Sequence, residues 1–416
     1  MNILFLTVAD INDINERMIY TDLLREFIAR GHQVTIISPT ERRNQTFTHL
    51  IEKNNSKILK VRTGNIQKTN MIERGLTTLV IQHQFLFAVK SFLNDESFDL
   101  LLYSTPPVTF NHVLKYLKKR NKAAITYLML KDIFPQNAVD IDVFSKNSLF
   151  NRYFRQKEKT LYSVSDIIGC MSEANRQYLI KHNPQIPPEI ITLCPNSIAP
   201  SELASSALTD TDKIKKQYSL PLEKLLFIYG GNFGKPQDIA FIVSVLQDNL
   251  NNKKVHFIMC GSGTELYKLE RYLTDSQPDN VTLIKGLPQK AYNELLSTCD
   301  VGLIFLDHRY TIPNFPSRML SYMDNSMPVF AATDPCTDIG DVILGGDFGW
   351  WCQSNNPNEY SRILESITHS HSVIHEKGKN AKKYLTDHYS SSTTYDTIMQ
   401  QINEIDQAID DFPKLV

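Results

Sequence analysis

The sequence predicts an α/β protein made of two doubly wound parallel-sheet domains. Three observations carry that prediction. Apolar strand-like runs alternate with amphipathic helical runs, as in β-α-β units. The pattern is repeated along 416 residues, a length comfortable for two cores. A polar, Ser- and Asp-rich stretch (SELASSALTDTD) separates the repeats, placing a linker at roughly 199–220.

In order, NILFLTV reads as a buried strand, MIYTDLLREFIARG as a helix stopped by Gly31, and QVTIISP as the next strand. DLLLYS, the helix FNHVLKYLKKRN, AAITYLML and DIIGCMS continue the alternation. The turns between them are short, which favours a parallel sheet. The second half repeats the theme with LLFIYGG, VHFIMCG, VTLIKG, VGLIFL and PVFAAT, and a helical segment from about residue 376, EKGKNAKKYLTDHY onward, closes the chain. No short-period repeat or low-complexity tract is evident.

Composition is that of a globular protein. The N-terminus has no basic leader or cleavage site, so no signal peptide is expected. No window holds the roughly 18 apolar residues of a spanning helix. Six scattered cysteines without a C-x-x-C pair predict buried, reduced thiols in a cytosolic protein. Net charge is −1, but residues 1–200 carry +7 and the remainder −8. The basic half points to an anionic partner. No nucleic-acid motif accompanies it, so a membrane face or a pyrophosphate-linked molecule fits better than nucleic acid.

The segment from Thr311 to Thr333, TIPNFPSRMLSYMDNSMPVFAAT, reads as a Pro-rich loop, a helix starting near Ser317 and a strand from Val329. Ser317 as N-cap would leave backbone N–H groups facing outward beside Arg318, an arrangement suited to phosphate. An ordinary capped helix is the alternative. Tyr229–Gln237, YGGNFGKPQ, ends a strand; its glycines let backbone approach a ligand, and Lys235 supplies a point charge. Cys260-Gly261-Ser262-Gly263 and Lys285-Gly286-Leu287-Pro288 follow later strands and read equally as structural turns.

Together these segments resemble the retaining glycosyltransferases of the GT-B fold in the glycogen-synthase-like family four. The likeness is greatest to the bacterial branch that builds surface polysaccharides on lipid carriers, fucosamine transferases included. It rests on Pro316-Ser317-Arg318, Asn325-Ser326, Pro328-Val329, the G-N-x-G-x-x-Q of Gly231 to Gln237, Ser104-Thr105-Pro106-Pro107, Lys131 to Gln136 and Ser172-Glu173.

The resemblance implies two Rossmann-like domains facing a cleft, an acceptor domain at 1–200 and a nucleotide-sugar domain at 201–385. It also implies that the segment after about 376 crosses back, with a C-terminal helix, 386–416, returning to the first. Lys235 and Arg318 would hold the donor diphosphate. Gly231, Asn232, Gly234, Gln237, Gly261, Gly286, Leu287, Ser317 and Ser321 would lie along the donor. Asp132 would contact sugar or acceptor, with a helix cap as its alternative, and Arg17, Ser104 and Glu173 would lie on the acceptor side. Asn196 occupies the matching hinge-side turn.

The implied activity is retaining transfer of a hexosyl or N-acetylhexosaminyl group, with UDP the expected carrier. The acceptor would be a polyprenyl-diphosphate-linked sugar at the cytoplasmic membrane face, as in capsule or O-antigen synthesis. No cofactor or metal is expected, and a homo-oligomer is left open.

The chain departs from the family in two places. The first strand–helix turn, Ala9 to Arg17, lacks the usual glycine pair, and Pro313 and Ser321 replace two family glutamates. Asp324 or Asp334 are candidate substitutes. A catalytically silent GT-B subunit and a nucleotide-sugar epimerase therefore remain as alternatives. Residues 71–93, with Lys60, Arg62 and Lys68 before them and the basic 115–122 segment, read either as a buried core helix or as a membrane-interface segment.

Overall fold

Four of the five residues of Asn2–Leu6 are buried, and this strand, β1, lies inside an eight-stranded sheet. The computed structural model describes residues 1–53, 55–66, 71–201 and 211–411. The chain divides into two compact units, Met1–Ala199 with Ser390–Val416, and Pro200–Tyr389.

In the first unit the other strands are β2 (Gln33–Glu41), β3 (His49–Lys53), β4 (Ser56–Thr63), β5 (Leu100–Ser104), β6 (Ile125–Leu130), β7 (Ile167–Cys170) and β8 (Ile191–Leu193). Their order is β3-β4-β2-β1-β5-β6-β7-β8. Every neighbour pair is parallel except β3–β4. The helices are α1 (Ile19–Ala29), α2 (Met71–Phe92), α3 (Asn111–Arg120), α4 (Gln136–Asp140), α5 (Leu149–Ser163) and α6 (Glu173–His182). Strands this apolar must be covered on both faces, which the crossover helices achieve.

The second unit holds α7 (Thr211–Gln217), β9 (Leu225–Asn232), α8 (Ile239–Asp248), β10 (Val255–Ser262), α9 (Leu266–Ser276), β11 (Val281–Ile284) and α10 (Gln289–Leu296). Then come β12 (Val301–Phe305), α11 (Arg318–Asp324), β13 (Val329–Thr333), α12 (Ile339–Gly345), β14 (Gly349–Gln353), α13 (Pro357–Thr368) and α14 (His371–His388). Its all-parallel order, β11-β10-β9-β12-β13-β14, reverses direction between β9 and β12. In open α/β sheets ligands bind at such switch points, outside the strand C-termini. Phe227, Phe257, Leu303 and Phe330 fill its core, each fully buried side chain contributing about 1.5–3 kcal/mol.

Two boundaries differ from expectation. Residues 202–210 of the expected linker lie outside the described residues, and 211–217 are helix α7. The EKGKNAKK segment does not cross over. It lies in α14, which buries Ile374, Ala381 and Leu385 and packs on α11 in the second unit. The crossing comes at Ser390, which bridges to Ile198, and α15 (Ser391–Asp411) then packs on α1. The six cysteines are free, but Cys336 is exposed and Cys299 partly so, because both fall in turns beyond the sheet.

Candidate active site

Helix α11 is anchored from below. Tyr322 is buried beneath the switch point of the second sheet, where its hydroxyl donates to Leu303 O (3.1 Å) and accepts from Gly230 N–H (3.2 Å). One turn earlier on the same helix, the Arg318 guanidinium lies over the Tyr292 ring, 5.0 Å from its centroid. Burial pushes the Tyr292 phenol up to about 12. A neutral ring is thus a lasting cation–π platform for the arginine. Arg318 remains partly exposed, so it faces solvent from a fixed base. The signal for this arrangement lies in two glycines. A Cβ on Gly230 would meet Tyr292 Oη at 2.0 Å, and one on Gly302 would meet the Tyr322 ring at 2.3 Å.

The loop after β9 is laced to its neighbours. Phe233 N–H donates to Ser262 O (2.9 Å), Glu265 N–H to Phe233 O (2.8 Å) and Asp307 N–H to Pro236 O (2.9 Å). Gln237 Oε1 accepts from Asn232 Nδ2 and Gly234 N–H, both at 3.3 Å. Asn232 and Gln237 therefore hold the loop's shape, and exposed Lys235 projects from its short helical turn. Because β9 and β12 pair, Lys235, in the turn after β9, and Arg318, which opens the helix after β12, follow the two strands that flank the switch point. Gly261 adopts φ +153°, and a Cβ there would strike Gly231 O at 1.8 Å; both glycines serve strand contact. Gly286 has φ +77° in an exposed turn beside half-buried Leu287.

Several expected roles change. Ser317 is not a side-chain cap: it is already helical (φ −64°, ψ −15°) with no cap hydrogen bond. Its carbonyl accepts from Leu320 N–H (3.1 Å), so the first turn is tight and the serine points outward. Ser321 is half-buried one turn beyond Arg318 on the same face. Asp324, a candidate substitute for a family glutamate, is engaged within its own unit, accepting from Ser201 N–H and Lys382 Nζ, both at 2.8 Å. Asp334 is buried in a turn, accepting from Cys336 and Thr337 N–H. Asp238, Asp307 and His308 gather closely enough for one cation. However, Arg309 grips both oxygens of Asp307 and Asp238 caps α8.

In the first unit, β1 and β5 flank the switch point. Asp132, after β6, is not a helix cap: α4 begins at Gln136 without a side-chain cap. Burial pushes its carboxyl up to about 6, against the opposing Asn137 Nδ2 and Ile133 N–H hydrogen bonds. Ser104 is buried and donates to Thr7 (3.2 Å), so it serves the interior rather than an acceptor. Glu173 is an exposed helix-start acid held by Arg176 and Gln177. Arg17 donates to Ala199 O, which engages it with backbone. Asn196 is buried, donating to Met171 Sδ (3.4 Å). Lys60 is buried and bound to Asp10, and Lys68 lies outside the described residues.

Residues 210–384 match the family "Glycosyl transferases group 1", and residues 18–202 match "Glycosyltransferase Family 4". The chain has the two-domain GT-B fold, and each half of it matches a glycosyltransferase family model. Among curated relatives it is similar to the probable glycosyltransferase WbjE of Pseudomonas aeruginosa, 25% identical over 308 residues, covering 72% of this chain and 73% of WbjE. Sucrose-phosphate synthase from Thermosynechococcus elongatus superposes with TM-score 0.74 at 15% identity, over 98% of this chain and 99% of that one. HepE from Anabaena, solved with UDP, gives TM-score 0.68 at 13% identity, over 97% of this chain and 100% of that one. These solved structures share the fold of this chain.

Proposed function

We propose that this chain is a glycosyltransferase that moves a sugar, with retention, from a nucleoside-diphosphate donor to a lipid-linked oligosaccharide in bacterial surface-polysaccharide synthesis. The observation that carries this reading is Arg318, half-exposed at the second switch point and stacked on buried Tyr292. Lys235 stands on the loop across that point. HepE, solved with UDP, makes UDP the first carrier to try, and the likeness to WbjE favours the polysaccharide setting.

In this reading the bond between C1 and the β-phosphate oxygen breaks, and its electron pair leaves with the diphosphate. Arg318 and Lys235 stabilise the growing charge. The acceptor oxygen bonds C1 from the side the diphosphate leaves, and its proton passes to a departing phosphate oxygen. Within the first unit, Asp132 is the residue assigned to acceptor binding. No metal is invoked, since the two cations supply the positive charge.

The test is release of nucleoside diphosphate from UDP-, GDP- and TDP-hexoses and N-acetylhexosamines in the presence of a lipid-linked acceptor extract. Arg318→Ala is expected to lower turnover ~100-fold or more. Absence of release from every donor would move the reading to the silent subunit.

A further inference from the structure

Helix α2 packs on α3, and α3 on α5, along one side of the first sheet. Their outer faces are not covered by protein. On α2, Leu76, Val80 and Phe87 are 60%, 46% and 71% exposed, at spacings of four and seven residues that align them in one stripe. On α5, Leu149, Phe150 and Tyr153 are exposed on one face as well. Between these stripes runs α3, whose exposed His112, Lys115 and Lys119 fall at helical spacing.

The three outer faces join. The rings of His83 on α2 and His112 on α3 lie 6.0 Å apart. Burial first, and then the charge of Lys157 on α5, disfavours protonation of His112, which places Lys157 beside it. Together α2, α3 and α5 contain ten Lys and Arg against two acids, Glu73 and Glu158. Both acids are already paired, with Arg42 and Arg155. A cavity of about 740 Å³ opens beside the α2 stripe, sharing Leu76 and Val80 and edged by Arg62. No described helix is long and apolar enough to cross a membrane.

We propose that the outer faces of α2, α3 and α5 form a docking surface for an anionic bilayer. Exposed large apolar side chains flanking a cationic row match the chemistry of the lipid interface: the rings and branched chains enter the headgroup boundary, and the lysines meet phosphates. An acidic protein partner would use the charge but leave the apolar stripes without a purpose. That bilayer docking serves catalysis rests on the proposed lipid-linked acceptor; the docking itself does not depend on the donor site.

The test is co-sedimentation of the full chain with vesicles of phosphatidylcholine alone and with about one-third phosphatidylglycerol. Binding to the anionic vesicles is expected, weakened by salt. Leu76→Ser with Phe87→Ser should lower partitioning ~10-fold or more. Lys115→Gln with Lys119→Gln should lower it ~10-fold on anionic vesicles and little on neutral ones.

All four positions are exposed, so circular dichroism of the variants should match the wild type. Independently, Phe87→Trp should add emission that shifts to the blue when anionic vesicles are present. Failure of the wild type to bind, equal binding by all variants, or an unshifted Phe87→Trp signal would overturn the proposal. So would self-association in solution that the serine variants abolish. A nucleotide-induced thermal shift in the same variants reports separately on the donor reading.

Discussion

Asp132 and Tyr292 show what burial does to single side chains, one in each unit. The Asp132 carboxyl stands at about 6 because burial disfavours its charge. A raised folded value favours the protonated fold: the stabilisation is complete below the usual 3.8 and is lost as pH rises through about 6. Asp132→Asn keeps a neutral group able to accept from Asn137. Its Tm relative to wild type should therefore climb by roughly 2–4 °C between about pH 4 and pH 7. A Tm difference that stays flat across that range would show the carboxyl is not buried as described. Tyr292 is a positioning residue. Its ring lies under the Arg318 guanidinium, so the ring carries its role. Tyr292→Phe should keep nucleoside-diphosphate affinity, whereas Tyr292→Leu should weaken it roughly 2- to 30-fold by calorimetric titration. Equal loss in both variants would assign the role to the hydroxyl.

At the scale of elements, α15 belongs to the first core although it ends the sequence. Ile398 and Ile402 are fully buried among β1 and α1 residues, and Tyr395 bonds His32 Nε2 at 2.8 Å. Ile398→Ala should cost about 2–5 kcal/mol in urea unfolding; a cost near zero would detach α15 from that core. The alternation of strands and helices was legible because each apolar run has a strand's length and is bounded by turns. The crossing point was not, since EKGKNAKKYLTDHY and the segment after Ser390 are both amphipathic helices and periodicity does not say which core they face. Ser317 misled because capping preference describes a residue type, while the prolines at 313 and 316 shaped this helix entry. The ties of Arg17 to Ala199, Lys60 to Asp10 and Asp324 to Lys382 join residues far apart in sequence, so no local pattern revealed that these charges were engaged. The Gly-rich loops were legible as loops, but their glycines mostly serve close strand and ring contacts.

At the scale of the molecule, two parallel sheets each present a switch point, and the chain's charge divides between its halves, +7 over residues 1–200 and −8 over the rest. The donor chemistry is assigned to the more acidic half, where Arg318 and Lys235 are local cations against the prevailing sign. That contrast makes those two residues the sharpest test of the account. The measurement is a thermal-shift panel of the purified chain with UDP, GDP, ADP, TDP and CMP, repeated with Lys235→Ala and Arg318→Ala. The account predicts that one nucleoside diphosphate, UDP first, raises the Tm of the wild type and of neither variant. No shift with any nucleotide, or an equal shift in all three proteins, would contradict it.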